Sequence, residues 1–551
     1  MTTPPDTIYH NGRIYTVDGT FSVVQAASVR ARRFETVGTD AEVLATAGEN
    51  TQLVDLGGRA VVPGLFDSHL HLFTTGMEAP RVPLIDCRSI ADVQAAIAAR
   101  AKGTPKGDWI IGRMGWHESL LRENRMPTRD ELDAAAPDNP VFVPRGGHVG
   151  SANSAALALA GIDENTPDPA GGLIVRELDG PRPTGLLLET ASYMLRAALP
   201  PVPPPATEKA LLRDAMALLN SYGIVATMDP GLNEHQIEIY EDLRRENALT
   251  VRTDLMFRAN NLPDTERGVA YAGFHDDDML RFVGIKFMLD GGVEGALHYE
   301  PYQIVPGEQN DPEYRGLSLL PPGGEAEYVE CLKLAARAGL QVQTHGVGDD
   351  CIDTIIRSYI AASEDVPTRD LRWVLMHMHN PTQEVFARIR QAGILVTVQN
   401  QSVLLGANKV KWWGRPRAEW STPIRRMIDE GLLVGGGTDG PIVPIDPFIC
   451  MWWMVTRKTL QGDCLGPDQG ITVREALELY TINNARIMGV EADRGSIEAG
   501  KLADLAVLSR DFVSGAPDEI RATQTLLTVL GGEVVYGDSS TIAAQSGGIS
   551  G

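Results

Sequence analysis

The sequence predicts an α/β protein: a (β/α)₈ barrel joined to a composite β-sandwich domain, with a large insertion after the first barrel strand. Eight short apolar, strand-like runs recur with helical stretches between them, which is the pattern of a parallel sheet built from βα units; they lie at 60–66, 224–228, 251–257, 282–289, 340–344, 371–376, 394–398 and 432–437. Alternating β-type segments bracket the chain at both ends. The interval between the first and second runs is far longer than a βα connection requires.

Taken in order, residues 7–62 alternate β-branched runs with turn pairs such as Asp18-Gly19 and Gly57-Gly58, as a small sheet would. Segments 495–508 and 525–536 read the same way. The two ends are therefore expected to join into one β domain of residues 1–60 and 490–537, leaving 61–489 for the barrel. Residues 73–205 form the inserted subdomain, and its Pro-rich exit, 200–205, reads as a stiff linker. Several barrel strands follow an amphipathic helix that stops at glycine, as 328–338 does before Gly339, where a left-handed residue ends the helix. After Gly537 the chain turns to Ser, Gly and Ala with little to bury, so 538–551 is expected to be a disordered tail.

With 551 residues, 43% of them hydrophobic and 22% charged, the chain has the composition of a folded protein with a large core. A formal charge of −23 disfavours nucleic acid and anionic membrane as partners, because both would repel such a surface, and fits a small neutral or cationic substrate better. No apolar run approaches the length that spans a bilayer, and the polar start lacks the charged and apolar regions of an export signal, so the cytosol is the expected location. Five cysteines with no CxxC pair suggest neither a disulfide framework nor a thiolate zinc site. A homo-oligomer is left open.

Chemistry enters with the run Val61 to His71, an apolar strand that breaks into two histidines one residue apart. Side chains at i and i+2 of a strand share a face, so His69 and His71 can reach one ion. In a (β/α)₈ barrel, active-site groups gather at the carboxyl ends of the strands. His69 and His71 follow the first predicted strand, Lys286 lies in the fourth, His345 ends the fifth, His377 ends the sixth and Asp439 follows the eighth. Six residues of metal-compatible type on five strands point to a metal site.

The chain resembles the amidohydrolase superfamily, and in particular amidohydrolase family 3, the YtcJ-like enzymes, a branch that includes deformylation of N-substituted formamides. The resemblance covers nearly the whole chain. It is carried by Pro63-Gly64-Leu65-Phe66-Asp67-Ser68-His69-Leu70-His71, Pro127-Thr128-Arg129-Asp130-Glu131-Leu132-Asp133, the HVGSANSAAL segment from His148 to Leu157, Gly284-Ile285-Lys286-Phe287-Met288-Leu289-Asp290-Gly291, Thr344-His345-Gly346-Val347-Gly348-Asp349, Gly437-Thr438-Asp439-Gly440-Pro441 and residues 495–508. It implies a TIM barrel fused to a composite β-sandwich, one or two divalent ions with zinc as the default, and hydrolysis of an amide-like C–N bond. By the same resemblance His69 and His71 would bind the more buried metal, His345 and His377 the more exposed one, and Lys286 would bridge them as a carbamate. A buried lysine of lowered pKa can react with CO₂ and become an anionic oxygen donor, whereas the plainer reading pairs Lys286 with an acid such as Asp290. Iron, manganese or nickel would suit the same ligands.

Asp439 is the expected proton-transfer residue. A divalent ion lowers the pKa of bound water from ~15.7 toward ~7, and Asp439 can accept the proton as the resulting hydroxide attacks the carbonyl, then pass it to the departing nitrogen. The plainer reading is an Asp in a tight turn. His379, in the second HxH formed with His377, reads as a loop or supporting residue, and Met376 stands where the family has Glu. His148, Asp290, Glu294, His298 and Trp116 are candidate substrate contacts; His117 could line the mouth of the site but reads better as a surface residue. The Trp412-Trp413 and Trp452-Trp453 pairs could wall the substrate, with packing the better account of at least one. The alternatives to hydrolysis are a metal-dependent lyase, a decarboxylase or hydratase, on the same barrel, and a scaffold that has lost its chemistry.

Overall fold

The computed structural model describes residues 3–542 apart from 170, 275, 276 and 307–310. Eight parallel strands form its central sheet: β1 (Leu65–Asp67), β2 (Ile224–Leu232), β3 (Arg252–Arg258), β4 (Leu280–Met288), β5 (Gln341–Gly346), β6 (Val374–His377), β7 (Leu395–Gln399) and β8 (Val434–Gly437). Each pairs with the next in chain order, from β1 at one end to β8 at the other. All eight predicted barrel runs overlap these strands.

The barrel closes through isolated hydrogen bonds rather than through a continuous ladder. Ser68 N donates to the Gly436 carbonyl over 3.1 Å, and Asn484 Nδ2 donates to the carbonyls of both Phe66 and Gly436. This explains the glycine run of β8. A Cβ at Gly435 would overlap Asn484, one at Gly436 would lie 2.7 Å from the Tyr480 ring, and one at Gly437 would lie 2.9 Å from the His69 amide.

The helices obey the expected spacing. Gly324–Arg337 turns Tyr328, Cys331, Leu332, Ala335 and Ala336 inward at three- and four-residue intervals. Burying a side chain such as Leu332 contributes roughly 1.5–3 kcal/mol. The chain then leaves the helix at Gly339, whose φ of 71° lies in the left-handed region.

Both chain ends meet in a pair of sheets. A four-stranded sheet holds Thr7–His10, Ala26–Arg30, Arg33–Gly38 and Gln52–Asp55, and a six-stranded sheet joins Ala60–Pro63 to Leu505–Leu508, with Val62 opposite Ala506. The predicted first barrel run, 60–66, is thus two strands: Ala60–Pro63 belongs to this sheet and Leu65–Asp67 to the barrel. The hinge falls at Gly64, where any Cβ would collide with Val225. The expected tail starts too early at 538: Ser539–Thr541 form a 3-10 turn and Ile542 is buried against Val29, Leu527 and their neighbours. Residues 543–551 lie outside the described residues.

Within 73–205 stands a five-stranded sheet, in the order Gly172–Arg176, Pro183–Glu189, Val149–Ala152, Val141–Arg145 and Ile110–Ile111. It has apolar clusters of its own on both faces. This insertion brings Trp116, His117, Arg145 and His148 over the mouth of the barrel.

Candidate metal centre

The carboxyl end of the barrel collects the polar residues because each strand stops there. His69 and His71 leave β1, Lys286 is near the end of β4, His345 and His377 are in the last two positions of β5 and β6, and Asp439 follows β8 by two residues. His377, Met378 and Asp439 have φ of 70°, 45° and 60°. Left-handed backbone at non-glycine residues costs on the order of 1–3 kcal/mol each and persists only where the surroundings enforce it. Part of that enforcement is Asp67, which accepts from the Thr438 hydroxyl at 2.7 Å and from the amides of Thr438 and His69, so it pins the loops after β1 and β8 together. Burial pushes the Asp67 carboxyl up to about 7.

Among the described residues, His69, His377 and Asp439 bring one donor atom each to within 4.8 Å of one another, all three buried. His69 Nε2 lies 3.3 Å and His71 Nε2 3.4 Å from Asp439 Oδ1. Burial, with the nearby Lys286 adding to it, lowers His69 to about 4, and burial likewise holds His345 and His377 well below the ordinary imidazole range. Burial works against the Asp439 charge, but its contacts with His69 and His71 hold the carboxyl well below the ordinary carboxylate range. Neutral imidazoles beside a carboxylate are a donor set that fits a divalent cation. His69 Nδ1, buried without a hydrogen-bond partner, shows that this ring is not spent on a structural contact.

The expected division into two histidine pairs is not what the geometry displays. His377 groups with His69 and Asp439, whereas His345 Nε2 faces the Gly291 carbonyl at 3.1 Å and Asp290 at 3.4 Å. His345 nonetheless adjoins His377, with ring centroids 4.4 Å apart. The His71 ring places Nδ1 3.1 Å from the Pro230 carbonyl, which leaves Nε2 as the free acceptor. Lys286 is buried with Nζ 2.6 Å from the Met376 sulfur. Its plainer pairing with Asp290 is absent, because Asp290 accepts from the amides of Leu297, Val347 and Gly348 instead. Burial lowers the Lys286 amine to about 7 even though Asp439 opposes the shift.

Behind Asp439 runs a chain of hydrogen bonds. Lys409 Nζ donates to His379 Nδ1 at 2.9 Å, so His379 carries its proton on Nε2 and donates to Gln401 Oε1 at 3.0 Å; Gln401 Nε2 then donates to Asp439 Oδ2 at 2.6 Å. Lys409 is fully buried, and its other bonds go to the hydroxyls of Ser402 and Ser421. His379 is therefore a supporting residue, as its sequence position suggests.

The softer candidates divide. Trp116, His148 and Glu294 line the pocket above the centre. His148 Nδ1 lies 2.8 Å from Glu189, and Glu294 is ion-paired to Arg145. Asp290 is structural, and His298 packs against Trp413 and Tyr302 while bonding Asp349, away from the pocket walls. His117, read as a surface residue, is instead buried and lines the pocket, with Nε2 lacking a hydrogen-bond partner. All four paired tryptophans are buried, with Trp413 against His298 and His379. The sequence reading missed Asp67, Arg145, Arg196, Arg258, Gln401 and Lys409. Applying the strand-end rule to every barrel strand would have reached Arg258, the last residue of β3, and Gln401, two beyond β7.

Comparison with known proteins adds an independent line. A sequence profile described as the amidohydrolase family matches residues 52–536. The chain is 33% identical to the N-substituted formamide deformylase of Arthrobacter pascens, over 97% of this chain and 99% of that protein. It is 29% identical to the putative amidohydrolase YtcJ of Bacillus subtilis (strain 168), over 96% and 99%. An uncharacterized metal-dependent hydrolase from Pyrococcus horikoshii OT3 has the same fold, with a TM-score of 0.72 at 24% identity, over 93% of this chain and 99% of that one.

Proposed function

Because the chain belongs to the amidohydrolase family, enzymes that hydrolyse C–N bonds other than peptide bonds, we propose that it cleaves the C–N bond of a small N-substituted amide or formamide with the help of one or two divalent cations. The observation that carries this reading is the convergence of His69, His377 and Asp439 within 4.8 Å at the carboxyl end of the barrel. His71, His345 and Lys286 stand beside them and complete the proposed ligand set. The likeness in sequence to a protein named a formamide deformylase supports the substrate class.

A divalent cation, with zinc the first choice, supplies Lewis acidity that activates water and polarises the carbonyl. Asp439 takes the proton from the attacking water and returns it to the leaving nitrogen, which departs poorly unless protonated. Gln401 fixes which Asp439 oxygen is engaged: Oδ2 accepts from the amide, and Oδ1 faces His69 and His71. The proton-poor, buried Lys286 amine is what carbamate formation with CO₂ requires. We place the protein in the cytosol; no helix among the described residues is long and apolar enough to cross a membrane.

The test is metal analysis of the purified protein together with a screen of N-formyl and N-acyl amines, with Asp439→Asn as control. Bound transition metal and amine release that vanishes in the variant are expected. Protein that holds no metal and cuts none of these compounds after reconstitution would overturn the reading.

A further inference from the structure

The walls around the centre differ sharply from one side to the other. The pocket toward the insertion is faced by Trp116, Val293, Leu404, Leu405 and Val443, and the arginine on that side, Arg145, is neutralised by Glu294. On the other side lies a cavity of about 270 Å³ that shares His345, His377 and Asp439 with that pocket. Its lining includes Arg196, Arg258 and Lys286, and Asp439 is the sole carboxylate among its described lining residues.

Among the described residues, neither Arg196 nor Arg258 forms an ion pair with a carboxylate, although Glu78, itself paired to Arg81, is near enough to act on Arg196. Arg196 rests its guanidinium against the Phe142 ring, donates one N–H to the Gly146 carbonyl, and keeps a buried Nε with no partner. Arg258 makes one 3.3 Å bond to Asn260. Arg145 and Arg252, by contrast, are held by carboxylates, whereas Arg258 stands exposed at the end of β3 with its guanidinium at the cavity rim. A guanidinium fork is shaped for a carboxylate or phosphate oxygen pair.

Resting on the hydrolase reading, we propose that the substrate is an amide with an apolar group on one side of the scissile bond and an anionic group on the other, as in an N-acyl amino acid, and that Arg196 and Arg258 hold the anion. The net charge of −23 favours a neutral or cationic ligand only on average, and Arg196 and Arg258 are a local exception to it.

The test uses two ligand pairs on the purified holoprotein. Binding is read by calorimetry with 5-phenylpentanoate against 5-phenylpentanol, which have no C–N bond to cut. Turnover is read with hippurate against its neutral carboxamide. The carboxylate is expected to bind at least about tenfold tighter than the alcohol, since charge-assisted bonds are roughly twice as strong as neutral ones. That advantage should shrink in R196M and R258M, return in part in R258K, and weaken with added salt. The preference for hippurate should lie in KM rather than kcat. No carboxylate advantage, or one unchanged in both methionine variants, would overturn the proposal. Hydrolysis of the neutral amide without preference would sink it while leaving the hydrolase reading intact. A retained carboxylate advantage with no amide cut would do the reverse.

Discussion

Gln401 Nε2 donates to Asp439 Oδ2 over 2.6 Å, and this bond makes Asp439 the end of a four-residue line that starts at the buried Lys409. The direction of the protons in the line is set from its carboxylate end: Asp439 can only accept, so Gln401 offers it the NH₂, Gln401 Oε1 accepts from His379 Nε2–H, and His379 Nδ1 accepts from Lys409.

The first prediction follows from that line. Gln401→Leu removes the donor, frees Asp439 to rotate, and leaves the His379 Nε2–H unpaired. We expect kcat to fall about 10–100-fold, the usual effect of losing a partner that orients a ligand. The bound-metal content should fall in parallel. A variant with unchanged metal content and rate would remove Gln401 from the machinery.

Asp439→Asn keeps the size of the side chain and its bond geometry but loses both the charge and the capacity to carry a proton. General acid–base catalysis contributes about 10²–10⁴-fold, and a loss of that order in kcat is expected. Single-turnover rates in wild type and variant are the measurement, and equal rates would exclude Asp439 from proton transfer.

The barrel was legible in the sequence because buried parallel strands are continuous apolar runs, and such runs stand out between amphipathic helices. Likewise the gathering of the six candidate residues at one end of the barrel could be read because each lies at or near the end of such a run. What could not be read was how the rings turn. Whether His345 aims at the centre or at Gly291 depends on a loop whose shape is set by Asp290 and three backbone amides, a contact between segments far apart in the chain. The same holds for Lys409, a lysine in the apolar helix Ser402–Trp413 whose hydroxyl and imidazole partners are assembled only by the fold. The junction at Gly64 was hidden for a different reason: two strands of different sheets, both apolar, look like one run of seven residues.

The His148–Glu189 contact predicts a pH dependence of stability. Burial disfavours the charged ring, but Glu189 at 2.8 Å outweighs it and raises His148 to about 10. A folded value above the unfolded one of about 6.5 means the stabilisation is complete below pH 6.5 and drains away as pH rises toward 10. Urea unfolding at pH 6 and pH 10 should therefore show wild type losing more stability than His148→Gln, by more than ~1 kcal/mol. Equal losses would mean the pair is not charged in the folded protein.

Asp67→Ala should destabilise the protein strongly. The substitution leaves the Thr438 hydroxyl and two buried amides without an acceptor, at about 1–3 kcal/mol for each unsatisfied group. Because the same carboxylate ties β1 to β8, the loss should be accompanied by weaker metal binding. Thermal denaturation and metal content give the two readings, and a variant of wild-type stability would show that the barrel seam is held by Asn484 and Ser68 alone.

The last prediction concerns Lys286, whose amine sits 2.6 Å from the Met376 sulfur and has no carboxylate bonded to it. If the amine reacts with CO₂, a dissolved gas becomes a determinant of metal affinity. Metal-free protein reconstituted in buffer stripped of CO₂ should then take up less metal than protein reconstituted with bicarbonate. The difference should disappear in Lys286→Met, which keeps the length and apolar stem of the side chain but cannot form a carbamate. A neutral amine is the reactive form, and burial, by lowering Lys286 to about 7, leaves a substantial neutral fraction near neutral pH. Uptake should therefore respond to bicarbonate more steeply at pH 8 than at pH 6. Identical uptake with and without bicarbonate at both values would show that Lys286 serves the site as a free amine.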